Sequence, residues 1–318
     1  MSVVLLTGGA GFIGSHVAEA LLKAGYGVRI LDDLSTGKRA NVPAECELIV
    51  GSITDPATVA QALRGTSGVI HLAAIASVPR SVADPVGANA ANLVGTIQLL
   101  QAAQVAGVQR FIYASSASIY GSAAGERAGE PFPISETVAA APQTPYAVDK
   151  YAGEQYAQFF HLEHGMHTSA FRFFNIFGER QDPSSPYSGV ISIFVDRLGR
   201  NEEIIIEGDG RQTRDFVYVK DLAEVLLHEY QHAARPATMP VYNVGSGLST
   251  SLLDIISALQ AISGRTPVLR FAGPRVGDIR HSLADPRRLH SAFPEQVFTP
   301  FATGLARLWE FSADAAQD

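Results

Sequence analysis

Short apolar runs alternate with segments of helical periodicity through the first half of the chain. The apolar runs predict strands at 3–7, 27–31, 47–50, 68–72, 110–115 and 168–173. Between them, apolar residues three and four positions apart predict helices at 12–24, 55–64, 86–106 and 146–163. Strands that alternate with helices indicate crossover connections and a parallel sheet covered on both faces.

A glycine turn lies between the first two predicted strands. Gly8, Gly11 and Gly14 follow the first apolar run, an amphipathic segment comes next, and the second apolar run ends at Asp32. Glycine lets the backbone approach a pyrophosphate closely, and a helix N-terminus offers unpaired N–H groups to the phosphates. The Asp32 carboxylate can accept hydrogen bonds from ribose hydroxyls. This pattern predicts a dinucleotide site in a Rossmann-type fold.

The second half of the chain has a different character. Residues 174–216 are rich in Gly, Pro, Arg and Asp, and further elements are expected near 190–200, 221–230, 240–244, 250–263 and 301–311. We expect an α/β protein in which residues 1–175 form a Rossmann-type, doubly wound parallel sheet. The segment at about 215–245 is expected to return to that sheet. Residues 176–318 are expected to form a smaller, interleaved α/β substrate-binding lobe.

Composition narrows the class of protein. The 318 residues are 47% apolar and 17% charged, which favours a well-packed globular chain. A net charge of -7 argues against nucleic-acid binding, because a phosphate backbone requires clustered Lys and Arg. The single cysteine, Cys46, excludes an internal disulfide framework. We expect no signal peptide and no membrane span, and therefore a cytoplasmic protein.

Tyr146 and Lys150 form a candidate acid/base pair. They are four residues apart at the start of a predicted helix, so both side chains share one helix face. An adjacent ammonium favours the phenolate form of tyrosine, and a nicotinamide cation would favour it further. The serine-rich strand end at 113–121 can add a hydroxyl beside the phenol. The spacing alone also arises by chance on surface helices, and the preceding glycine turn is what favours catalysis here.

The chain resembles the extended short-chain dehydrogenases/reductases, and within them the nucleotide-sugar 4-epimerases related to UDP-galactose 4-epimerase. The resemblance extends along essentially the whole sequence. Its motifs are TGGAGFIG (7–14), LDDLSTG (31–37), HLAAIASVPRS (71–81), NLVGT (92–96), SSASIYG (115–121), PYAVDK (145–150), RFFNIFG (172–178), RDFVYVKD (214–221), YNVGSG (242–247) and GDIRHSLAD (277–285).

This resemblance implies NAD as the cofactor, a UDP-sugar as the substrate and a homodimer built on the helices at 86–106 and 146–163. It implies Tyr146 as the catalytic base, Ser116 as its hydroxyl partner and Lys150 as a ligand of the nicotinamide ribose. The implied cofactor site consists of Tyr146 and Lys150 with Gly8, Gly11, Phe12, Ile13, Gly14, Asp32, Ser52, Ile53, Leu72, Ala73, Ala74, Asn92 and Phe173. The implied substrate site consists of Ser116 and Tyr146 with Ser77, Asn175, Val190, Arg214, Arg275, Asp278 and Ser282. No metal is implied.

Several positions refine the expected chemistry. Asp32 disfavours the 2′-phosphate of NADP, and Ser52 stands where the family often has Asp, so that the backbone of Ile53 would serve the adenine. Family members that catalyse dehydration or decarboxylation carry acids after the active-site hydroxyl. This chain has Ala117 and Ser118 there, which favours simple epimerisation.

Ser282 aligns with the residue that lies beside the C2 substituent of the sugar in the family. A small residue there admits an N-acetyl group, which favours UDP-N-acetylglucosamine and places the chain with the UDP-N-acetylglucosamine 4-epimerases. The alternatives are a UDP-glucose/UDP-galactose 4-epimerase or another nucleotide-sugar oxidoreductase, and a non-catalytic NAD-binding scaffold. If other residues close the space beside the C2 substituent, Ser282 is an ordinary loop serine and does not determine the substrate.

Overall fold

A computed structural model describes residues 2–123, 126–127, 129–184, 189–232, 235–274 and 279–314. Arg275 and Asp278 lie outside the described residues. The strands are β1 (Val3–Thr7), β2 (Gly27–Asp32), β3 (Glu47–Val50), β4 (Thr66–His71), β5 (Arg110–Ser116), β6 (Glu126–Arg127), β7 (Glu130–Pro131), β8 (His167–Phe173), β9 (Asn175–Phe177), β10 (Ile204–Glu207), β11 (Thr213–Arg214), β12 (Phe216–Tyr218), β13 (Val241–Val244), β14 (Thr250–Ser251), β15 (Leu269–Ala272) and β16 (His281–Ser282). The α-helices are α1 (Phe12–Lys23), α2 (Pro56–Ala62), α3 (Val78–Ala83), α4 (Pro85–Asn89), α5 (Gly95–Val105), α6 (Pro145–Glu163), α7 (Val190–Gly199), α8 (Val219–His232), α9 (Leu252–Ser263), α10 (Arg287–Ala292) and α11 (Phe301–Asp314).

The chain forms two compact units. Unit 1 consists of Met1–Gly121, Ala139–Phe173 and Ala223–Tyr242. Unit 2 consists of Ser122–Val138, Phe174–Leu222 and Asn243–Asp318. Among the described residues, no helix combines the length and the apolar character needed to cross a membrane.

A seven-stranded sheet forms the centre of unit 1, in the order β13-β8-β5-β4-β1-β2-β3. The strands from β3 to β8 pair in parallel. The chain order reverses at β1, which lies between β2 and β4, and ligands of such sheets bind beyond the carboxyl ends of the strands near this point. The predicted Rossmann-type parallel sheet is therefore confirmed.

The centre of the sheet is buried, and its strands β1 and β5 consist mostly of apolar residues. In β1, residues Val4, Leu5 and Leu6 are fully buried. On one face of the sheet, Leu5 and Phe111 belong to a hydrophobic cluster that also contains residues of α2, α5 and α6. Strands that read as continuous apolar runs are typical of a parallel sheet with helices on both faces.

The segment predicted as one helix at 86–106 is helical from Pro85 but contains a π-helical turn. Asp84 caps α4, since its carboxylate accepts a hydrogen bond from the N–H of Gly87 at 2.9 Å. The turn at Ala90–Val94 then widens the helix before α5 begins. Its Asn92 side chain is buried, in keeping with the frequent occurrence of π-helical turns at functional sites.

Unit 2 is held together by short strands and an aromatic cluster. β9 pairs with β12, β10 pairs with β15, and β11 lies between β14 and β16. Phe177 packs against Phe216, Tyr218 and Phe301, with ring centroids 5.4 to 6.2 Å apart. These contacts join β9, β12 and α11 into one layer.

Candidate active site

The glycine turn follows β1 and is tightly closed. Gly8 has φ +72°, and a Cβ atom at this position would lie 2.7 Å from the backbone nitrogen of Ala73. A Cβ atom on Gly14 would collide with the carbonyl oxygen of Gly8. Gly11 is the N-cap of α1, and no described side chain caps the first turn of this helix. The first N–H groups of α1 are therefore available to an anion.

Asp32 lies at the end of β2, and its side chain is mostly buried. Its carboxylate accepts hydrogen bonds from the backbone N–H groups of Ala10 and Leu34, both at 2.9 Å. Burial raises the pKa of Asp32, and these two hydrogen bonds act in the opposite direction. Asp32 thus fixes the glycine turn as well as lying at the position predicted to bind the adenosine ribose.

A chain of hydrogen bonds links the π-helical turn to the carboxyl ends of β1 and β4. The Thr96 hydroxyl donates to the carbonyl of Asn92 at 2.6 Å, so it accepts from Nε2 of His71 at 2.8 Å. His71 Nδ1 then accepts from the Thr7 hydroxyl at 2.7 Å, and Thr7 Oγ1 accepts from the N–H of Ala73 at 3.3 Å. Burial, with the charge of Lys150, lowers the pKa of His71 to about 3, so the ring is neutral.

The Asn92 side chain fixes the loop after β4. Its amide oxygen accepts from the N–H of Ile75 at 2.7 Å, and its nitrogen donates to the carbonyl of Ile75 at 3.3 Å. The segment Leu72–Ala74 lies directly before this anchor and bonds to Thr7. Asn92 therefore acts on the proposed cofactor site through the backbone of this loop.

The remaining predicted cofactor residues lie at the carboxyl ends of strands or at the start of α1. Phe12 and Ile13 are the first residues of α1, and Phe173 ends β8 beside Ser116 of β5. Ile53 is buried in the core, so only its backbone can serve a ligand. The Ser52 hydroxyl is 2.8 Å from the hydroxyl of Thr54.

The candidate catalytic side chains face the end of β5. Lys150 is buried, and its Nζ donates to the carbonyl of Ala114 at 2.8 Å. The Tyr146 phenol interacts with the Ser116 side chain, which favours its ionised form. The Lys150 Nζ lies 5.9 Å from the centre of the Tyr146 ring. The structure thus brings together the three residues predicted from the sequence.

The ionisation of this pair differs from the sequence expectation. Burial raises the pKa of Tyr146 above 10.0, and the hydrogen bond with Ser116 lowers it only in part. Burial also lowers the pKa of Lys150 to about 8, against the opposing charge of Asp149. The groups of the chain alone therefore do not produce the lowered tyrosine pKa expected from an adjacent ammonium, because burial is the larger effect.

A buried ion pair holds α6 against the sheet, and the sequence analysis missed it. Arg172 of β8 donates from Nε and Nη2 to the two carboxylate oxygens of Glu154, at 3.0 and 2.8 Å. Ser115 of β5 also donates to Glu154, and Arg172 Nη1 donates to the hydroxyl of Tyr120 at 2.7 Å. The signal was present, because Glu154 follows Tyr146 and Lys150 at the same interval of four residues.

Two serines at the beginning of α3 and within it have structural hydrogen bonds. Ser77, predicted to contact the sugar, is the N-cap of α3 and accepts from the N–H of Arg80 at 3.2 Å. Ser81 was not predicted; it is fully buried and accepts from the backbone N–H of Tyr146 at 3.2 Å. Ser81 therefore fixes the backbone of the residue that carries the candidate catalytic phenol.

The predicted substrate residues of unit 2 that the structure describes lie on or beside its short strands or begin α7. Asn175 begins β9, and both its backbone and side-chain N–H groups donate to the carbonyl of Asp215, at 3.0 and 3.2 Å. Arg214 of β11 pairs with Ser282 of β16, whose side chain is buried. Val190 is the first residue of α7 and follows the N-cap Gly189.

Residues 4–245 match the NAD dependent epimerase/dehydratase family. The chain belongs to this family. It is 35% identical over 321 residues to a UDP-glucose 4-epimerase of Mycolicibacterium smegmatis, covering 98% of this chain and 99% of the relative. The family is NAD-dependent, and the glycine turn and the α1 N-terminus of this chain fit that cofactor.

Solved structures agree with this assignment. A UDP-glucose 4-epimerase of Thermus thermophilus in complex with NAD matches with a TM-score of 0.88 and 34% identity, over 97% of this chain and 98% of that one. A UDP-N-acetylglucosamine 4-epimerase of Methanobrevibacter ruminantium in complex with UDP-N-acetylmuramic acid matches with a TM-score of 0.89 and 33% identity, over 99% of both chains.

We predict that denaturing the purified protein releases NAD rather than NADP, and that Asp32→Asn shifts the preference towards NADP. The carboxylate repels a 2′-phosphate, and the substitution removes this charge. The affinities of both cofactors for each variant measure the effect. Asp33→Asn is the control, since the exposed Asp33 side chain bonds to Ser35. An unchanged NAD-to-NADP ratio in Asp32→Asn would contradict the role of Asp32.

Proposed function

We propose that this protein is a UDP-sugar 4-epimerase whose main substrates are UDP-N-acetylglucosamine and UDP-N-acetylgalactosamine. The observation that carries the proposal is the contact of Tyr146 with Ser116, and the burial of Lys150 beside this pair. The UDP-glucose 4-epimerases among its relatives support chemistry at C4.

Each of these three residues has a distinct task in the proposed reaction. When bound, NAD supplies reversible hydride acceptance at C4, together with a positive charge that favours the phenolate. Tyr146 removes the proton of the C4 hydroxyl. After the 4-keto sugar has turned so that its other face accepts the hydride, Tyr146 returns the proton to the C4 oxygen. Ser116 hydrogen-bonds the reacting oxygen, and Lys150 binds the nicotinamide ribose. Because the sugar is oxidised and then reduced, no net oxidation occurs.

The residues after Ser116 favour epimerisation over related reactions. Ala117 and Ser118 follow it in a 3₁₀-helical segment. Neither side chain exchanges protons near neutral pH, whereas elimination or decarboxylation of the sugar requires further acid/base groups. The proposed reaction needs Tyr146 alone as the proton carrier.

The substrate residues are assigned by their motif positions in the family resemblance, and the chemistry of the polar ones supports the assignment. We propose that Asn175 and Arg214 bind the diphosphate, for which the guanidinium fork is well suited. Ser77 and Val190 are proposed to contact the substrate, Arg275 to pair with the diphosphate, and Asp278 to accept from the uridine ribose.

The size of Ser282 supports the acetamido substrates. A serine leaves volume that a tyrosine would fill, and a hydroxyl can hydrogen-bond an acetamido group. The UDP-N-acetylglucosamine 4-epimerase among the similar structures agrees with this proposal. The second candidate is the UDP-glucose/UDP-galactose pair. The similarity to the UDP-glucose 4-epimerase of Mycolicibacterium smegmatis favours this pair.

Incubation of the pure protein with each UDP-sugar, without added cofactor, tests the activity directly. Chromatography should show interconversion of the acetamido pair, since the nicotinamide is regenerated in each turnover. Formation of one NADH for each sugar converted, with NAD added, would instead indicate a net nucleotide-sugar oxidoreductase. Interconversion of UDP-glucose and UDP-galactose alone would favour the second candidate.

We further propose a homodimer built on the outer face of α6. Val148, Tyr156, Phe159 and Leu162 are exposed on this helix by 41% to 49% of their surface. A cluster of exposed apolar side chains on one helix is unusual for a monomer, and two-fold pairing of helices would bury it.

The first prediction from the proposed function is that Tyr146→Phe retains the fold and bound NAD but lowers kcat by about 10²–10⁴-fold, because the proton acceptor is lost. Ser116→Ala should lower kcat less, since it removes a hydrogen bond and leaves the phenol. Initial rates and the NAD content of each variant measure the effects. A phenylalanine variant with a rate near that of the wild type would exclude the mechanism.

The second prediction concerns Ser282. We expect Ser282→Tyr to abolish turnover of UDP-N-acetylglucosamine while sparing UDP-galactose, because the ring overpacks the space for the acetamido group. Ser282→Ala is the matched control, which keeps the space and should retain both activities. Equal loss of both activities in Ser282→Tyr would argue against this position as the size determinant.

The third prediction concerns assembly. Light scattering should give the wild type twice its chain mass of 33.8 kDa, and Phe159→Glu should give the chain mass, because a buried charge opposes pairing. Val297→Glu, at an apolar position of unit 2 that is 83% exposed, is the control and should remain dimeric. A wild type with the mass of one chain at micromolar concentration would rule out this dimer.

A further inference from the structure

Asp215 is a fully buried carboxylate of unit 2 that the proposed mechanism does not use. One of its oxygens accepts from the backbone N–H and the hydroxyl of Ser246, at 2.6 and 2.7 Å. The other accepts from the backbone N–H groups of Gly247 and Ala284, at 2.9 and 3.1 Å. One side chain therefore joins two segments that are distant from it in the sequence.

The backbone of the same residue holds Asn175. The carbonyl of Asp215 accepts from the Asn175 backbone N–H at 3.0 Å and from the Asn175 side-chain amide at 3.2 Å. The second bond fixes the rotation of the Asn175 amide group. The orientation of a proposed diphosphate ligand thus depends on the position of the Asp215 backbone.

The strand register connects Asp215 to two further substrate residues. It directly follows Arg214, which pairs with Ser282 in β11 and β16. Ala284, which donates to the Asp215 carboxylate, lies two residues after Ser282. A shift of Asp215 would therefore move the ends of both strands that carry these residues.

A carboxylate is the side chain suited to this position. Four donors converge on it, and an ionised carboxylate accepts about four hydrogen bonds, whereas an amide presents donors on one side. Burial raises the pKa of Asp215, and the bonds from Ser246, Ala284 and Gly247 lower it. Burying a charge without these donors would be costly. Replacing it leaves at least one of the converging N–H groups unpaired.

We propose that Asp215 is the positioning residue of the nucleotide-sugar site, which sets the relative positions of Asn175, Arg214 and Ser282. The inference rests on the proposed function, because these three residues are assigned to the substrate there. It predicts that the effect of replacing Asp215 falls on UDP-sugar binding and not on NAD or on the chemical step.

The test compares Asp215→Asn with Asp221→Asn. Asp221 is a second buried carboxylate of unit 2, and it accepts from the backbone N–H and the hydroxyl of Thr299, at 2.7 and 2.8 Å. Calorimetry gives the Kd for UDP, initial rates give KM and kcat for the UDP-sugar, and the released cofactor gives the NAD content. The melting temperature reports the structural cost in both variants.

We expect Asp215→Asn to raise the Kd for UDP and the KM about tenfold or more, as the loss of buried hydrogen bonds predicts. The NAD content should be unchanged and kcat should change little. Asp221→Asn should lower the melting temperature without changing the Kd for UDP. An unchanged Kd in Asp215→Asn, or a fall in kcat at constant KM, would overturn the inference.

Ser246→Ala keeps the proposal testable if Asp215→Asn does not fold. It removes one hydroxyl donor to Asp215 and the acceptor of the Leu248 N–H, and it leaves the backbone bonds to Asp215 in place. The Kd for UDP should therefore rise about threefold or more. An unchanged Kd in this variant would overturn the inference. If the wild-type protein binds UDP but converts no UDP-sugar, the proposed epimerase activity is refuted. The Kd values for UDP of the variants then still decide the role of Asp215. A wild type that does not bind UDP would overturn both.

Discussion

The contact between one face of α6 and the end of β5 determines where the candidate catalytic groups lie. Tyr146, Lys150 and Glu154 share this face because they are separated by intervals of four residues. Their hydrogen-bond partners on β5 are three consecutive residues, Ala114–Ser116. Arg172 of β8 then pairs with Glu154 by two parallel hydrogen bonds, which is the strongest geometry for a guanidinium and a carboxylate. The phenol is thus placed by contacts along the helix as well as by its own hydrogen bond.

The burial that fixes these groups also sets their charges. Lys150 remains mainly protonated near neutral pH, since burial lowers its pKa only to about 8. His71 stays neutral, and its two ring nitrogens form hydrogen bonds with Thr96 and with Thr7. These bonds connect the helix that follows the π-helical turn to β1. The same burial raises the pKa of the Tyr146 phenol, and a positive charge such as that of a bound nicotinamide would lower it. In the proposed reaction, cofactor binding and activation of the base are therefore coupled.

Local sequence patterns predicted most strands of the parallel sheet in unit 1. The short strands of unit 2 were harder to predict, because they form by pairing of residues that are distant in the sequence. The strands of the parallel sheet are apolar runs of four to seven residues, which the sequence displays directly. The π-helical turn at Ala90–Val94 was missed, because its sequence keeps a helical periodicity. β11 has two residues and pairs with positions near 250 and 281, so neither its length nor its periodicity marks it. The capping role of Ser77 depends on where α3 begins, which the sequence left open.

The two units fix their proposed functional residues in different ways. In unit 1, long paired strands supply most of the backbone hydrogen bonds, and side chains are positioned on that frame. In unit 2, strands of two to four residues supply few backbone hydrogen bonds. Buried polar side chains therefore form many of the hydrogen bonds that hold its segments together. Asn243 is one example, because its side-chain amide donates to the carbonyl of Ile134 at 2.8 Å. Bonds of this kind join segments at any sequence separation, and each depends on a single residue. In the proposed enzyme, the substrate residues of unit 2 can therefore change through single substitutions while the sheet that carries the glycine turn stays intact.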